Sequence, residues 1–369
     1  MYDETKTAEL LKNLGDEETV EVKDLSKILS KKVVGVRLNG RRGKMATTVG
    51  IKDLGLNDYD KIDDFVQSKM NKTVINFFDK SIIAKFENVI NKVRQLMYNS
   101  ASSSDGVIYY MTEKNFLDFK KSFDEKYKIE YDKLKDVLIS ELPAHKASFQ
   151  SDLKTFVESR GIDETEAQVL YKSILSKFPT EEQIRNDCNI DYYVIAFPVF
   201  DEKNISGINS VIADKIKTDK DNSAVEVFYD MVGNNIKDAF EVVYKCLDCI
   251  DDTPALQGKT MEFTPPSKTR GFINCKILKL IDDNKVLKND TLGKAIKIAS
   301  RTFREYLDKD GNAVTNKQAQ ETSEQLLGIL YNYAKYLGLE EKILPIINTT
   351  DYSEDDLSII GDVANIDEL

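Results

Sequence analysis

The sequence predicts a mainly α protein: an elongated antiparallel long-helix bundle with a small N-terminal β-hairpin and a small C-terminal helical domain. Three observations carry this. Ile82, Phe86, Val89, Val93 and Leu96 alternate in steps of four and three, the seam of an amphipathic helix that packs on another in coiled-coil fashion. Phe116, Phe119, Phe123, Tyr127, Tyr131, Leu134 and Leu138 line one face of a second run, with acids and lysines opposite. At roughly 30 residues that run spans about 45 Å. Finally, "VVGVRL" (33–38) is a β-branched strand pattern, and the Asn39-Gly40 that follows it is a type I′ hairpin signal.

In chain order, residues 1–24 read as a mobile or short helical lead, and Asp24 caps one or two helical turns over "DLSKILS". Residues 25–57 form the basic hairpin segment: "VVGVRL" as one strand, "NGRRGK" as the tip, "MATTVGI" as the returning strand. A long-helix domain occupies 58–250. In it "SASSSDG" (100–106) turns the chain, Thr112 caps the second helix and Pro143 stops or bends it. A third helix carries Phe149, Leu153, Phe156 and Val157 and closes at Gly161. Shorter helices cover 163–178 and 181–190, while "YYVIAFPVF" (192–200) suits either a buried strand or a helix end broken at Pro198. Val225, Phe228, Val232, Ile236, Ala239, Val243 and Leu247 then mark another long helix. Residues 251–271 hold three of the seven prolines and read as a linker. A small helical domain (272–347) follows, with helices near 272–287, 291–307 and 316–337, and then an acidic tail (348–369).

Of 369 residues, 41% are hydrophobic and 31% charged, enough apolar content for a real core. The net charge of −11 and pI near 5.0 make the chain as a whole repel nucleic acid and anionic membrane. Residues 25–52 reverse this, with Lys27, Lys31, Lys32, Arg37, Arg41, Arg42, Lys44 and Lys52 and no acid. Removing those eight charges from −11 leaves −19 on the remainder. No secretory signal or membrane-length apolar run is visible, and the four cysteines suit a reducing cytoplasm.

The motifs for chemistry fall short. A phosphate loop needs a glycine five positions before its Gly-Lys pair; Gly258-Lys259 has Thr253 there and Gly43-Lys44 has Leu38. A calcium loop starting at Asp308 would place Ala313 where glycine belongs and Ala319 where the bidentate acid belongs. Cys246 and Cys249 have zinc-like spacing, but Cys188, Cys275 and His145 offer no second pair, so they read as buried small hydrophobes. His145, the only histidine, lies in a polar helix start and reads as a surface residue. No catalytic residue, metal ligand or cofactor site is expected. The basic segment remains, with Arg37, Arg41, Arg42 and Lys44 as partner-binding residues. Its 28 positions hold no interleaved aromatic, so single-strand stacking is not indicated, and a protein partner is more economical than duplex DNA.

The order of "GVRLNGRRGKM", "IKDLGL", "FFDKSIIAKFENVINKVRQLM" and "YYVIAFPVF" resembles the phage and bacterial family called domain of unknown function 3150, over about residues 28–250. That resemblance implies a phage or prophage gene product that works with a MoxR-type AAA+ ATPase and a von Willebrand A-type protein, as an adaptor rather than an enzyme. It supplies no catalytic residues and leaves the region after Gly258 uncovered. Nucleic-acid binding through residues 25–52 is the alternative.

Overall fold

The computed structural model describes residues 4–12, 14, 22–43, 45–49, 73–159, 164–197, 210–254, 256–258 and 261–369. In order these form α1 (Glu4–Leu11), α2 (Val22–Lys32), β1 (Val33–Arg42), β2 (Ala46–Val49), β3 (Thr73–Asn76), α3 (Lys80–Ser100), β4 (Ser103–Ser104) and β5 (Tyr109–Thr112). Next come α4 (Glu113–Ser122), a π turn (Phe123–Tyr127), α5 (Lys128–Ser140), α6 (Leu142–Ser159), α7 (Glu164–Leu175), α8 (Glu181–Asp187) and β6 (Cys188–Ala196). The rest is α9 (Ser210–Asp251), α10 (Ser267–Leu287), α11 (Asp290–Ala299), a second π turn (Ser300–Arg304), α12 (Asn316–Leu337), α13 (Leu344–Ile347) and α14 (Glu354–Val363). The protein is mainly helical, with a four-stranded antiparallel sheet of order β4-β5-β1-β6 and a separate β2-β3 pair.

The expected hairpin does not form. Strand β1 continues through Asn39-Gly40 to Arg42, its first residues pair with β5 (Val33↔Thr112 to Val36↔Tyr109), and β2 pairs with β3 instead. Glycine at 40 serves packing: a Cβ there would stand 3.2 Å from the Ile90 side chain. The chain turns at Gly43, whose φ of +69° suits glycine and whose missing Cβ would collide with Cys188 Sγ. Lys44, expected at the tip, and Gly161, expected as a helix end, lie outside the described residues.

The chain divides into two compact units. One comprises 1–36, 100–118 and 194–369; the other 37–99 and 119–193. In the first, α9 is the axis. All seven positions predicted for its face are buried, and Met231, Phe240, Val242, Cys246 and Ile250 bury further sides of the same helix. α12, α10 and α2 pack around it. The 251–271 segment, expected as a linker, is stitched into this core. Phe263 is buried, its N–H donates to Val314 O at 2.8 Å, and Asn316 N–H donates to Met261 O. The expected small helical domain shares the same core through Ile273, Ile277, Leu280, Leu292, Leu326 and Leu330. The expected acidic tail contains α14, capped by reciprocal Ser353 and Asp356 bonds and crossing α12 where Gly361 meets Gly328 backbone.

In the second unit the predicted seams are visible. Phe86, Val89 and Val93 are buried on α3, and Phe119, Phe123, Tyr131 and Leu138 on the run from 113 to 140. Phe86 meets Tyr131 edge-on at 5.1 Å, but Phe119 and Phe123 pack against Tyr192 of β6. Helix α5 ends just ahead of Pro143, which sits in the first turn of α6, where its missing N–H is harmless. His145 is half-buried rather than on the surface: its ring stands edge-on to Phe78, beside the Phe77–Phe149–Phe178 cluster.

Candidate interaction site on strand β1

Side chains of a strand alternate between its two faces. On β1 this puts Arg37, Asn39 and Arg41 on one face, and Leu38, Gly40 and Arg42 on the other. The second face is the covered one. Gly40 meets Ile90 there, and the Arg42 guanidinium donates to Glu87 Oε1 on α3. Both members of that pair are about half exposed (46% and 50%), so it contributes at most about 1 kcal/mol. The first face is open. Arg37 and Arg41 are exposed, and among the described residues neither makes an ion pair.

Neighbouring elements hold this part of β1 by its backbone. The buried Tyr131 hydroxyl donates to Arg41 O, and Cys188 Sγ–H donates to Arg42 O at 3.0 Å. Burial pushes the Cys188 thiol up to about 11 against the pull of Lys135, so it stays protonated, a donor and not a nucleophile. Burial likewise pushes the Tyr131 phenol upward. These bonds fix the strand while leaving the two guanidinium groups in water.

Strand β6 adds what the basic segment lacks. Asn39 Nδ2 donates to Tyr193 OH at 3.1 Å, and Tyr193 is 56% exposed. An exposed aromatic therefore stands on the open face beside the arginines. Sequence reading missed it because Tyr193 lies 152 residues beyond Arg41; the aromatic and β-branched "YYVIA" was the available strand signal. Of the four expected residues, Arg37 and Arg41 share the open face of β1, Arg42 turns away, and Lys44 is outside the described residues. Lys27 lies 3.9 Å from Asp24 within α2.

Elsewhere the chemistry-bearing residues do structural work. All four cysteines are free. Cys246 is fully buried, and Cys249 Sγ–H donates back to Cys246 O within α9. Among the described residues no three His, Cys, Asp or Glu side chains are grouped to hold a metal ion. The Asp308 carboxylate accepts from the N–H groups of Asp310 and Asn312, closing a turn. Among the described residues no helix is long and apolar enough to cross a membrane.

No family model, no curated protein and no solved structure matches the chain.

Proposed function

We propose that the chain is a non-enzymatic, phage- or prophage-encoded interaction protein of the cytoplasm, and that the open face of β1 docks an acidic protein surface. One observation carries the reading: Arg37 and Arg41 share the open face of a strand whose Arg41 and Arg42 carbonyls are held by Tyr131 and Cys188, unpaired among the described residues, with the exposed Tyr193 on Asn39 between them. Arginine and tyrosine are the residues enriched at interface hot spots, because each offers large, directional contact area. The class of partner, a MoxR-type AAA+ ATPase with a von Willebrand A-type protein, rests on the sequence resemblance. The free thiols support a reducing compartment. An antiparallel α3–α5 pair within a long-helix bundle is the proposed scaffold, supported by the Phe86–Tyr131 contact and the Lys92–Glu130 ion pair at 3.0 Å.

The experiment is an Arg37→Ala/Arg41→Ala double variant. Both side chains lie in solvent, so the melting temperature should stay within about a degree or two of wild type, as for other surface substitutions. Salt-sensitive co-purification of the ATPase partner should be lost. The second reading, nucleic-acid binding, gains from Tyr193, which offers a base a stacking platform. Binding of a random single-stranded oligonucleotide at about 0.15 M salt, abolished by Tyr193→Ala, would favour it over the adaptor. Phosphate release from ATP by the purified chain would count against a non-enzymatic role altogether.

A further inference from the structure

A cleft opens between α10, α11 and the π turn at Ser300–Arg304. It comprises two adjoining cavities of about 440 and 560 Å³ that share Asn284, Gly293 and Lys297. Glycine at 293 keeps it open, since a Cβ there would come within 2.8 Å of Asn284 Nδ2. Ile281 and Ile296 supply apolar wall. Lys294, Lys297 and Arg301, spaced by three and four, form one basic row along it. The carboxylate in the first cavity, Glu305, is taken up by the Ser300 hydroxyl (3.3 Å) and by Arg304 (3.7 Å). It makes no ion pair with the row among the described residues; the second cavity adds one acid, Asp290, and one further cation, Lys288.

The ends of the row already hold acceptors from one segment, a carboxylate and a backbone oxygen. Lys294 Nζ pairs with Asp367 at 2.5 Å, and the Arg301 guanidinium donates to the backbone oxygen of Leu369. Ile366 and Leu369 pack against the core, and Asn365 folds the segment through bonds to Asp367 N–H and Glu368. Lys297, midway, is exposed and makes no ion pair among the described residues. Arg301 Nε is sealed from solvent without an acceptor. The site also departs from regular backbone: a π turn forms one wall, and the non-glycine residues Lys288 and Tyr306, at φ +48° and +60°, flank it.

We propose that this cleft docks an acidic peptide segment in which acidic side chains lie between apolar ones. Its carboxylates meet Lys297 and the flanking Lys294 and Arg301, and its apolar side chain lies between Ile281 and Ile296. Residues 365–369, Asn-Ile-Asp-Glu-Leu, carry the same chemistry and act as a tethered competitor for Lys294 and Arg301. Tethering gives such a segment an effective concentration in the millimolar range, so a free peptide gains access only when the tether is weakened. This site is independent of the β1 face.

The test uses the full chain and a fluorescent peptide copying residues 364–369, followed by anisotropy. Asp367→Ala removes the competitor's anchor and should tighten peptide binding by about tenfold or more. Adding Lys297→Glu, or the milder Lys297→Gln should the reversal perturb folding, should abolish the gain. The proposal fails if Asp367→Ala binds the peptide no better than wild type. It fails equally if the Lys297 variants still bind. Displacement of the peptide by micromolar inorganic phosphate would also overturn it, by assigning the cleft to a small anion.

Discussion

Asp283 shows what a single buried residue does in this protein. It has no exposed surface, yet its carboxylate accepts from Ser102 Oγ and Asn115 Nδ2, both at 2.9 Å, and from Lys279 Nζ at 3.3 Å. Lys279 also reaches Asp238 at 2.9 Å, and Lys276 reaches Asp238 at 2.6 Å. The network joins the 100–118 segment to α9 and α10. Removing Lys279 leaves the buried Asp283 without a cation, while Asp238 keeps Lys276, so Lys279→Met should cost about 3–5 kcal/mol in urea unfolding; a loss under about 1 kcal/mol would sink this account. The two aspartates shift in opposite senses: burial raises the Asp283 carboxyl despite Lys279, whereas Asp238 moves down. Burial alone would raise its carboxyl, but Lys279 and Lys276 outweigh burial and hold it below the ordinary aspartate value. Its folded-state pKa is thus the lower one, so its stabilisation is complete above the unfolded aspartate value, about 4, and is lost as pH falls through the folded-state pKa. The stability gap between wild type and Asp238→Asn should therefore be constant from about pH 5 to 8 and close on acidification.

At the scale of elements, glycines decide where helices meet. A Cβ on Gly361 would stand 2.3 Å from Gly328 O and 2.6 Å from Asn332 Nδ2, so α14 rests directly on the backbone of α12. Asn332 Nδ2 then donates to Ser358 O (3.1 Å) and Asp362 (2.8 Å), and Tyr331 OH to Glu354 (3.0 Å). Gly361→Ala forces these helices apart and should destabilise by about 1–3 kcal/mol, the usual effect of overpacking. Gly271 is the contrast. It lies in α10 with open space around its Cβ position, so Gly271→Ala should stabilise by about 0.5–1 kcal/mol. Thermal melts of the two variants check both signs. The helices themselves were legible: the predicted span 316–337 is α12, because Thr315 and Gln318 cap one end and Gly338 adopts φ +71° at the other. Glycines acting between elements carry no such local mark.

At the scale of the molecule, the first unit is built from three stretches of chain. Leu25, Leu29 and Val33 join the core that α9 to α12 form, and Ser102 and Asn115 bind Asp283 within it. Residues 272–347 expressed alone would leave Ile273, Ile277 and Leu330 without α9, exposing the face they bury. That fragment is expected to show no cooperative melting transition. A sharp transition in calorimetry would establish the independent helical domain that the proline-rich 251–271 segment suggests.

By itself the sequence determined the helical class, the seams and most helix spans, because period, capping residues and breakers act within a turn or two of one another. The seam at Ile82–Leu96 and the row from Phe116 to Leu138 needed nothing distant to be visible. Strand pairing, unit membership and the candidate site were decided by tertiary structure. Asn39-Gly40 has the chemistry of a turn, yet Ile90 presses on the glycine and β5 takes the pairing that β2 was expected to make. Arg37 and Arg41 acquire an aromatic neighbour only because β6 returns Tyr193 beside Asn39. The row Lys294, Lys297 and Arg301 faces a cleft only because α10 lies across it at Asn284. Contacts between separate elements depend on which surfaces exclude water together, and no local pattern encodes that choice.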